Sequence, residues 1–426
     1  MEKKFQMDGY TLHLIPSKKF KNITISLKLL SPLKKETATM RTMLSFMFSG
    51  GTKELPSTKL FSQYLENMYG ARFGSTIGSK GLGHVIHLNS VTVNEAYILE
   101  DINLLEKQIK LLADVLYHPN CKDGLFDETI FKIKQKELKE RIRVSKDDKF
   151  SYSLDRLFET MGENDVLGIS STGYLEEVDK IDNHSLYQYL QQSIQDDQKH
   201  IYIVGNIDES IVEIFKNNLK FPAAKNTLAP VHHFDSKRSE VLEVVEKQDI
   251  TQAKLNMGYR VEGEYLSPKH YAFTVFNAVF GGFSQSRLFK VVREKHSLCY
   301  YVSSSYDAFN KILIVNAGIE SDQYQKTREL IAMQLKEIQN GNFEEVEIEI
   351  AKKMLTNALK KSNDEPSSMI ALAYNRDITN KVETNQEYIE KLQAVTKAEI
   401  IDAANTVILD TVYFLAGGQK NGKDSL

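Results

Sequence analysis

The sequence has little of what small secreted proteins and membrane proteins depend on. Its 426 residues contain only two cysteines, Cys121 and Cys299, and no tryptophan. Two thiols are too few for a disulfide framework or a four-thiolate zinc site, so we expect both to be buried and reduced. No stretch reaches the roughly 18 uninterrupted apolar residues of a membrane-spanning helix. The N-terminal MEKKFQMDGY also lacks the apolar core of a signal peptide, so we expect a cytoplasmic protein.

An excess of charge of one sign is missing as well. The chain has 54 Lys and Arg residues against 57 Asp and Glu residues, for a net charge of −3. This balance gives no reason to expect binding to nucleic acid. With 42% hydrophobic and 26% charged residues, the composition is typical of a globular protein, and the length predicts two or more domains.

The two halves of the sequence resemble each other. FDETIFKIKQKELKERIRVSKDD, from Phe126, aligns without a gap with FEEVEIEIAKKMLTNALKKSNDE, from Phe343. FSGGTKELPSTKLFSQYLE, from Phe48, matches FGGFSQSRLFKVVRE, from Phe280, with extra residues in the first loop. A short apolar run that stops at glycine ends each half. A repeat of this length predicts two homologous domains.

A segment with prolines and mostly small or polar residues separates the halves. It reads FPAAKNTLAPVHHFDSKRSE, a composition typical of an interdomain linker. We predict an N-terminal domain over 1–225, a linker over 226–240 and a C-terminal domain over 241–426. Each half mixes β-like apolar runs with long amphipathic helical patterns, so the predicted fold class is α+β, duplicated.

One early stretch carries a resemblance to a known family. TMRTMLSFMFSGGT, from Thr39 to Thr52, followed by LFSQYLENMYG, resembles the insulinase (pitrilysin) family of zinc peptidases, whose shorter members are related to the mitochondrial processing peptidase. The resemblance covers essentially the whole chain. It implies two α/β-roll domains, each a mostly antiparallel sheet packed by helices. In that family the early helix carries H-x-x-E-H, the inverted zinc motif.

The zinc motif itself is absent from this stretch. In the motif, two histidines on one helix face bind zinc, and the glutamate acts as general base on the metal-bound water. Counted back from Gly51, the histidine positions fall on Thr42 and Phe46, and the glutamate position falls on Ser45. None of these side chains can replace the originals.

The family's distal site residues are replaced too. The distal carboxylate ligand falls on Arg141, whose guanidinium repels a metal ion, and the supporting acidic position falls on Lys134. The resemblance therefore implies a degenerate member with no catalytic residue and no metal ligand of its own. We expect the early helix to be kept for packing.

The ten histidines offer no obvious substitute site. His84 and His87 are three residues apart in a predicted strand, so their side chains point to opposite faces of the sheet. His232 and His233 lie in the predicted linker near Asp235, which we interpret as a solvated segment. The other histidines are isolated in sequence: His13, His118, His184, His200, His270 and His296.

The second half keeps a different part of the family's machinery. GGFSQSRLFKVVREKHSLCYYVSSSY contains S-R-L-F followed by R-E-x-x-x-L-x-Y, a run that is closely similar in the family. In dimeric members its arginine and tyrosine act across the subunit boundary, positioning substrate and the oxyanion. The matching residues are Arg293 and Tyr300. The first half places Leu65 and Arg72 opposite them, so the repeat does not itself require the pair. The alternative is a solvated charge and a tyrosine chosen for β propensity.

Gly281 and Gly282 follow a predicted helix in the same half. We interpret them as a helix end and turn. The alternative is a lid like the glycine-rich loop in the non-catalytic subunit of the mitochondrial enzyme, but this segment is shorter and has fewer glycines.

The resemblance implies a catalytically inactive subunit of a heterodimeric zinc metallopeptidase. A homologous partner with H-x-x-E-H would hold the zinc, and this chain would line the peptide chamber with Arg293 and Tyr300. Peptides or unfolded segments would bind by adding a strand to a sheet edge. The alternative is a non-proteolytic peptide- or protein-binding scaffold, because bacterial homologues with this degenerate motif are associated with 5-aminopentanol modification of elongation factor P.

Overall fold

The computed structural model describes residues 2–226, 228–232 and 240–418. Contacts group the chain into two compact units, each assembled from three segments of sequence. Unit 1 comprises Met1–Ser145, Ile169–Pro230 and Ser362–Asn380, and unit 2 comprises Lys146–Gly168, Val231–Lys361 and Lys381–Leu426.

The described residues form both strands and helices. In chain order the strands are β1 (Lys3–Met7), β2 (Tyr10–Pro16), β3 (Asn22–Pro32), β4 (Arg72–Lys80), β5 (Gly83–Val93), β6 (Cys121–Lys122), β7 (Leu125–Phe126), β8 (Gln198–Gly205), β9 (Leu242–Gln248), β10 (Ala253–Arg260), β11 (Cys299–Asp307), β12 (Ile312–Ile319) and β13 (Ile408–Gly417). The helices are α1 (Lys35–Met47), α2 (Thr58–Asn67), α3 (Leu104–Tyr117), α4 (Glu128–Asp147), α5 (Lys149–Met161), α6 (Leu175–Val178), α7 (Asn183–Asp196), α8 (Ile211–Asn218), α9 (Pro268–Asn277), α10 (Tyr324–Gln339), α11 (Glu345–Ser362), α12 (Pro366–Ile378), α13 (Asn385–Ala394) and α14 (Lys397–Asn405).

Unit 1 is built on a six-stranded sheet in the order β1-β2-β8-β3-β5-β4. Only β2 and β8 pair in parallel, and the other neighbours are antiparallel. Side chains alternate between the two faces of each strand. In β3 this places Ile23, Ile25, Leu27 and Leu29 on one buried face. These four residues belong to the apolar core of the unit.

Unit 2 repeats that arrangement with five strands. Its sheet has the order β9-β13-β10-β12-β11, in which β9 and β13 pair in parallel and the rest are antiparallel. This is the same order as β2-β8-β3-β5-β4 in unit 1. The α+β fold class with two homologous, mostly antiparallel sheets is therefore confirmed.

The two halves of the sequence exchange one helix each. Helix α5 belongs to unit 2, and helix α12 belongs to unit 1. The repeat alignment, continued past Asp147 and Asp364, places the first residue of one helix opposite the first residue of the other. In unit 2, Leu157 and Met161 of α5 join an apolar cluster with side chains of β12 and β13. The exchange thus follows the duplication.

The predicted linker stays a prediction, because residues 227 and 233–239 lie outside the described residues. No helix among the described residues is long and apolar enough to cross a membrane. Both cysteines are free thiols; Cys299 is buried and Cys121 is half-buried. Burial raises the pKa of the Cys299 thiol to about 11 and that of Cys121 to about 12, which keeps both protonated and unreactive.

Candidate functional site

The degenerate zinc motif lies on α1, where its side chains serve packing. The Thr42 hydroxyl is 3.1 Å from the carbonyl oxygen of Ser171. The Ser45 hydroxyl is 2.8 Å from the Ser75 hydroxyl on β4. Phe46 is half-buried against the apolar core of unit 1. Each of the three positions therefore links α1 to its surroundings, and none carries a side chain that could bind zinc as the motif does.

The distal positions on α4 are equally unsuited to a metal ion. Lys134 is buried, and its ammonium lies 2.9 Å from a carboxylate oxygen of Glu137 on the same helix. Arg141 is exposed to solvent. Two cations at these positions oppose the binding of a metal ion.

A buried ion pair fixes α1 in unit 1. The guanidinium of Arg41 is fully buried, 2.8 Å from an Asp197 oxygen, and donates a hydrogen bond to the Leu29 carbonyl at 2.7 Å. Burial by itself opposes the charge of Arg41. The charge of Asp197, together with hydrogen bonding to Asp197 and Tyr189, outweighs that effect and raises the pKa of Arg41. The arginine is therefore held as a permanent cation that ties α1 to β3 and to the end of α7.

The histidines of β5 do not converge. His84 Nε2 lies 2.9 Å from the Ser171 carbonyl oxygen, whereas His87 Nδ1 lies 2.8 Å from the Lys28 ammonium. Burial lowers the pKa of each histidine to about 3, with the Arg41 charge adding to the effect at His84 and the Lys28 charge at His87. Both imidazoles are neutral at physiological pH, and their different partners agree with the predicted alternation of faces.

The interpretation of His232 as part of a solvated segment is wrong. His232 is buried in unit 2, its Nε2 lies 2.8 Å from an Asp165 carboxylate oxygen, and its backbone N–H donates to the Phe309 carbonyl. This tethering, which the local composition does not reveal, explains the burial. His233 and Asp235 lie outside the described residues.

Arg293 and Tyr300 lie in one exposed segment of unit 2. Arg293 belongs to a π-helical turn, Phe289–Lys295, and its guanidinium carbon stands 4.8 Å from the centre of the Phe289 ring. Tyr300 lies on β11, an edge strand of the sheet, and is 60% exposed. Its hydroxyl donates to a Glu320 carboxylate oxygen at 2.7 Å, which raises the pKa of Tyr300. Action of the pair on a partner stays a prediction.

Gly281 and Gly282 end a π-helical turn that continues α9. The predicted helix end is present, but neither glycine has a positive φ, so the left-handed cap is not the reason for glycine here. A Cβ at Gly281 would lie 2.5 Å from the Ser304 hydroxyl oxygen and 2.8 Å from the Ser304 backbone nitrogen. Glycine at this position permits close approach of the turn to β11.

One cluster escaped the sequence analysis. His13, His200 and Asp377 come together in unit 1, although they are far apart in the chain. No local spacing marks them. The three residues meet because β2 pairs with β8, and that pairing depends on the topology of the sheet.

Comparison with known proteins places this arrangement in a family. Residues 180–355 match the Peptidase M16 inactive domain. The chain is 34% identical over 418 residues, 98% of each chain, to the probable inactive metalloprotease YmfF of Bacillus subtilis. It is 24% identical to the uncharacterized zinc protease YmxG of the same organism, covering 86% of this chain and 90% of that protein. The crystal structure of a conserved protein from Enterococcus faecalis superimposes with a TM-score of 0.91 at 30% identity, covering 99% of each chain. The chain belongs to the insulinase (M16) family of peptidases, as an inactive member.

Proposed function

We propose that this chain is the catalytically inactive subunit of a heterodimeric zinc metallopeptidase of the insulinase family. A homologous subunit with an intact H-x-x-E-H motif holds the zinc ion, and this chain lines the peptide chamber. One contrast carries the proposal. The positions of the zinc machinery hold packing and surface side chains, whereas Arg293 and Tyr300 keep exposed functional groups.

The chemistry of the two exposed groups supports a role in stabilising an oxyanion. Arg293 supplies a permanently charged donor fork, and Tyr300 supplies a neutral hydroxyl donor. The Phe289 ring beneath the guanidinium restricts its conformations, a contact worth about 0.5–1 kcal/mol at an exposed site. The Tyr300 hydroxyl must leave Glu320 before it can donate to a substrate oxyanion. Glu320 therefore holds the donor in a resting position.

The open edge of the unit 1 sheet supports binding of an extended peptide. Strand β4 is an edge strand, so its outward N–H and C=O groups can pair with an added strand. A Cβ at Gly74 or Gly78 would meet no atom within 4 Å, which leaves space beside the backbone. The Ser45–Ser75 contact joins this edge to α1. Peptides and unfolded segments are the substrates that this mode of binding accepts.

The partner is expected to be a relative of similar size. YmxG, which the chain matches over most of its length, is named as a zinc protease. This relation supports a partner of the same fold that carries the metal, with zinc as a cofactor of the partner and not of this chain.

The test is to purify the chain with a homologue that carries H-x-x-E-H and to assay cleavage of unstructured peptides. We expect chelator-sensitive activity that neither chain has alone. Arg293→Ala should lower kcat by about 10²-fold, the usual cost of losing an oxyanion donor, and should leave assembly intact. Lys295→Ala, in the same exposed turn, is the matched control.

Two outcomes contradict the proposal at different levels. An Arg293→Ala complex as active as the parent would rule out the in-trans role while leaving the complex itself standing. Recovery of the chain from cell extract with a translation factor, and without a zinc-bearing homologue, would replace the peptidase subunit with the non-proteolytic scaffold.

A further inference from the structure

Two imidazoles and one carboxylate meet in unit 1, on elements other than α1 and α4. His13 on β2, His200 on β8 and Asp377 on α12 each offer a ligand atom, and these atoms all lie within 4.8 Å of one another. No other group of three such side chains occurs in the part of the chain that the structure describes.

The sheet and the exchanged helix build this cluster together. In the parallel pairing of β2 with β8, Thr11 lies opposite His200 and His13 lies opposite Tyr202. His13 and His200 are therefore two positions apart on neighbouring strands, and their side chains share one face of the sheet. Helix α12 packs on β8 and β3, which brings Asp377 to that face.

Both imidazoles flank the same carboxylate oxygen. Asp377 Oδ2 lies 3.4 Å from His13 Nε2 and 2.7 Å from His200 Nδ1. Despite these distances, neither nitrogen has a hydrogen-bond partner with acceptable geometry among the described residues. Both imidazoles nevertheless face Oδ2 within ion-pair distance, so a shared ion would replace these close contacts with bonds to the metal.

Charged side chains contact two of the three proposed ligands, His13 and Asp377. A Glu2 carboxylate oxygen lies 2.8 Å from His13 Nδ1, so the ring can donate there and present Nε2 to the cluster. A carboxylate behind a ligating histidine is the usual outer partner in metal sites. Lys4 lies 2.6 Å from Asp377 Oδ1, where its charge opposes a nearby cation, and Oδ2 is the carboxylate oxygen that faces both imidazoles.

The cluster is also accessible from one side. His13 is fully buried, but His200 and Asp377 line a pocket of about 430 Å³. The rest of its polar wall consists of Lys4, Gln6, Thr11, Gln198 and Asn380. An ion held by three protein ligands could thus complete its coordination with water or a small ligand, as three-ligand zinc sites do.

We propose that His13, His200 and Asp377 form a binding site for a divalent metal ion of the zinc class. Imidazole and carboxylate ligands suit Zn²⁺ and its first-row neighbours. Metal–ligand distances of about 2.0–2.2 Å in tetrahedral geometry separate ligands by about 3.3–3.5 Å, which matches the His13–Asp377 distance. The His200–Asp377 distance must widen on binding. The ion would fasten the exchanged helix α12 to the sheet of unit 1, a structural role unrelated to the H-x-x-E-H positions.

The experiment uses the full chain alone, stripped of metal with a chelator, so its result does not depend on the proposed partner. Zn²⁺ is titrated against a competing chromophoric chelator, and Co²⁺ is added in parallel. We expect about one equivalent to bind, a visible Co²⁺ spectrum of low-symmetry coordination, and a higher thermal midpoint with metal. Glu2→Gln should weaken binding by about 10–100-fold, as loss of an outer partner does.

Ligand variants and matched controls locate the site. His200→Gln and Asp377→Asn should abolish stoichiometric binding and the Co²⁺ spectrum, whereas His184→Gln and Asp364→Asn, at exposed positions, should leave both unchanged. If a variant fails to fold, anomalous diffraction from zinc-soaked crystals of the parent chain locates the ion instead. Binding that survives both ligand variants, or an anomalous map without a peak at the cluster, would overturn the inference.

Discussion

Helix α1 of unit 1 and helix α9 of unit 2 follow corresponding strands, yet their buried faces differ in polarity. Among its buried residues α1 has Arg41, Thr42 and Ser45. Helix α9 buries Phe273 and Phe276 with other apolar side chains. Helix α1 therefore adds hydrogen bonds and an ion pair to the apolar packing of Met43, Leu44 and Met47, whereas α9 is packed mainly by apolar and aromatic side chains.

The contrast shows which contacts orient α1, the helix that carries the zinc motif in catalytic members of the family. Apolar packing tolerates small shifts, but the Arg41–Asp197 pair is satisfied in only one arrangement of α1. Burying two charges brings little net stability, although breaking such a pair is costly. The orientation of α1 next to the open edge strand β4 is thus specified more sharply than stability alone requires.

The largest effect on stability is expected from breaking the buried Arg41–Asp197 ion pair of α1. Arg41→Met leaves Asp197 buried without its cation, so we expect the free energy of unfolding to fall by about 3–5 kcal/mol. Chemical denaturation followed by circular dichroism measures the change. In the double variant Arg41→Met, Asp197→Leu, most of the loss should be recovered. A double variant as unstable as the single one would show that the pair is not the cause.

The pH dependence of stability tests the packing of α9, because this helix buries the titratable residue His270. Burial lowers the pKa of His270 to about 4, below its ordinary value near 6.5. Stability from this residue is complete above pH 6.5 and is lost as the pH falls toward 4, since only the unfolded chain takes up the proton. The loss is about 3 kcal/mol. Chemical denaturation at several pH values measures this loss of stability. We expect the loss to be absent in His270→Gln and unchanged in His118→Gln, whose position is exposed.

A smaller effect is expected where the turn after α9 meets β11. Gly281→Ala places a methyl group 2.8 Å from the Ser304 backbone nitrogen, which cannot move freely. We expect a loss of about 1–3 kcal/mol, typical of overpacking. Gly74→Ala on edge strand β4 meets no atom within 4 Å, so thermal melting of that variant should match the parent. Equal losses in both variants would show that the contact with Ser304 is not the cause, since the entropy of the unfolded chain by itself favours alanine over glycine.

The smallest effect is expected at the surface of α9. Lys269 pairs with Glu262, and the two side chains are 55% and 51% exposed. An exposed ion pair contributes about 0–1 kcal/mol, so Lys269→Ala should barely shift the denaturation midpoint. A shift as large as that of Arg41→Met would show that the exposed pair contributes as much stability as the buried one, which contradicts the comparison.

The sequence predicted the duplicated α+β fold because a repeat is visible by alignment alone. It could not predict that α5 and α12 change places. The apolar residues Leu157 and Met161 indicate that α5 buries one face, but they do not say against which sheet. That choice depends on tertiary packing between distant segments.

The candidate site residues likewise divide into those that the sequence predicts and those that it does not. The substitutions at Thr42 and Arg141 were found because a motif fixes residue types at short, constant spacings. His13, His200 and Asp377 have no common spacing, and each is unremarkable in its own strand or helix. They meet because β2 pairs with β8 and because α12 joins unit 1, neither of which local patterns encode.

The exchange of α5 and α12 has a consequence for synthesis on the ribosome. The sheet of unit 1 is finished when residue 205 has emerged, but α12 begins only at Pro366. At ordinary elongation rates this interval lasts on the order of ten seconds. During that time the face of β8 that α12 will cover is open to chaperones or to a second nascent chain. The second face of the unit 1 sheet is therefore covered by α12 only when most of the chain has been translated.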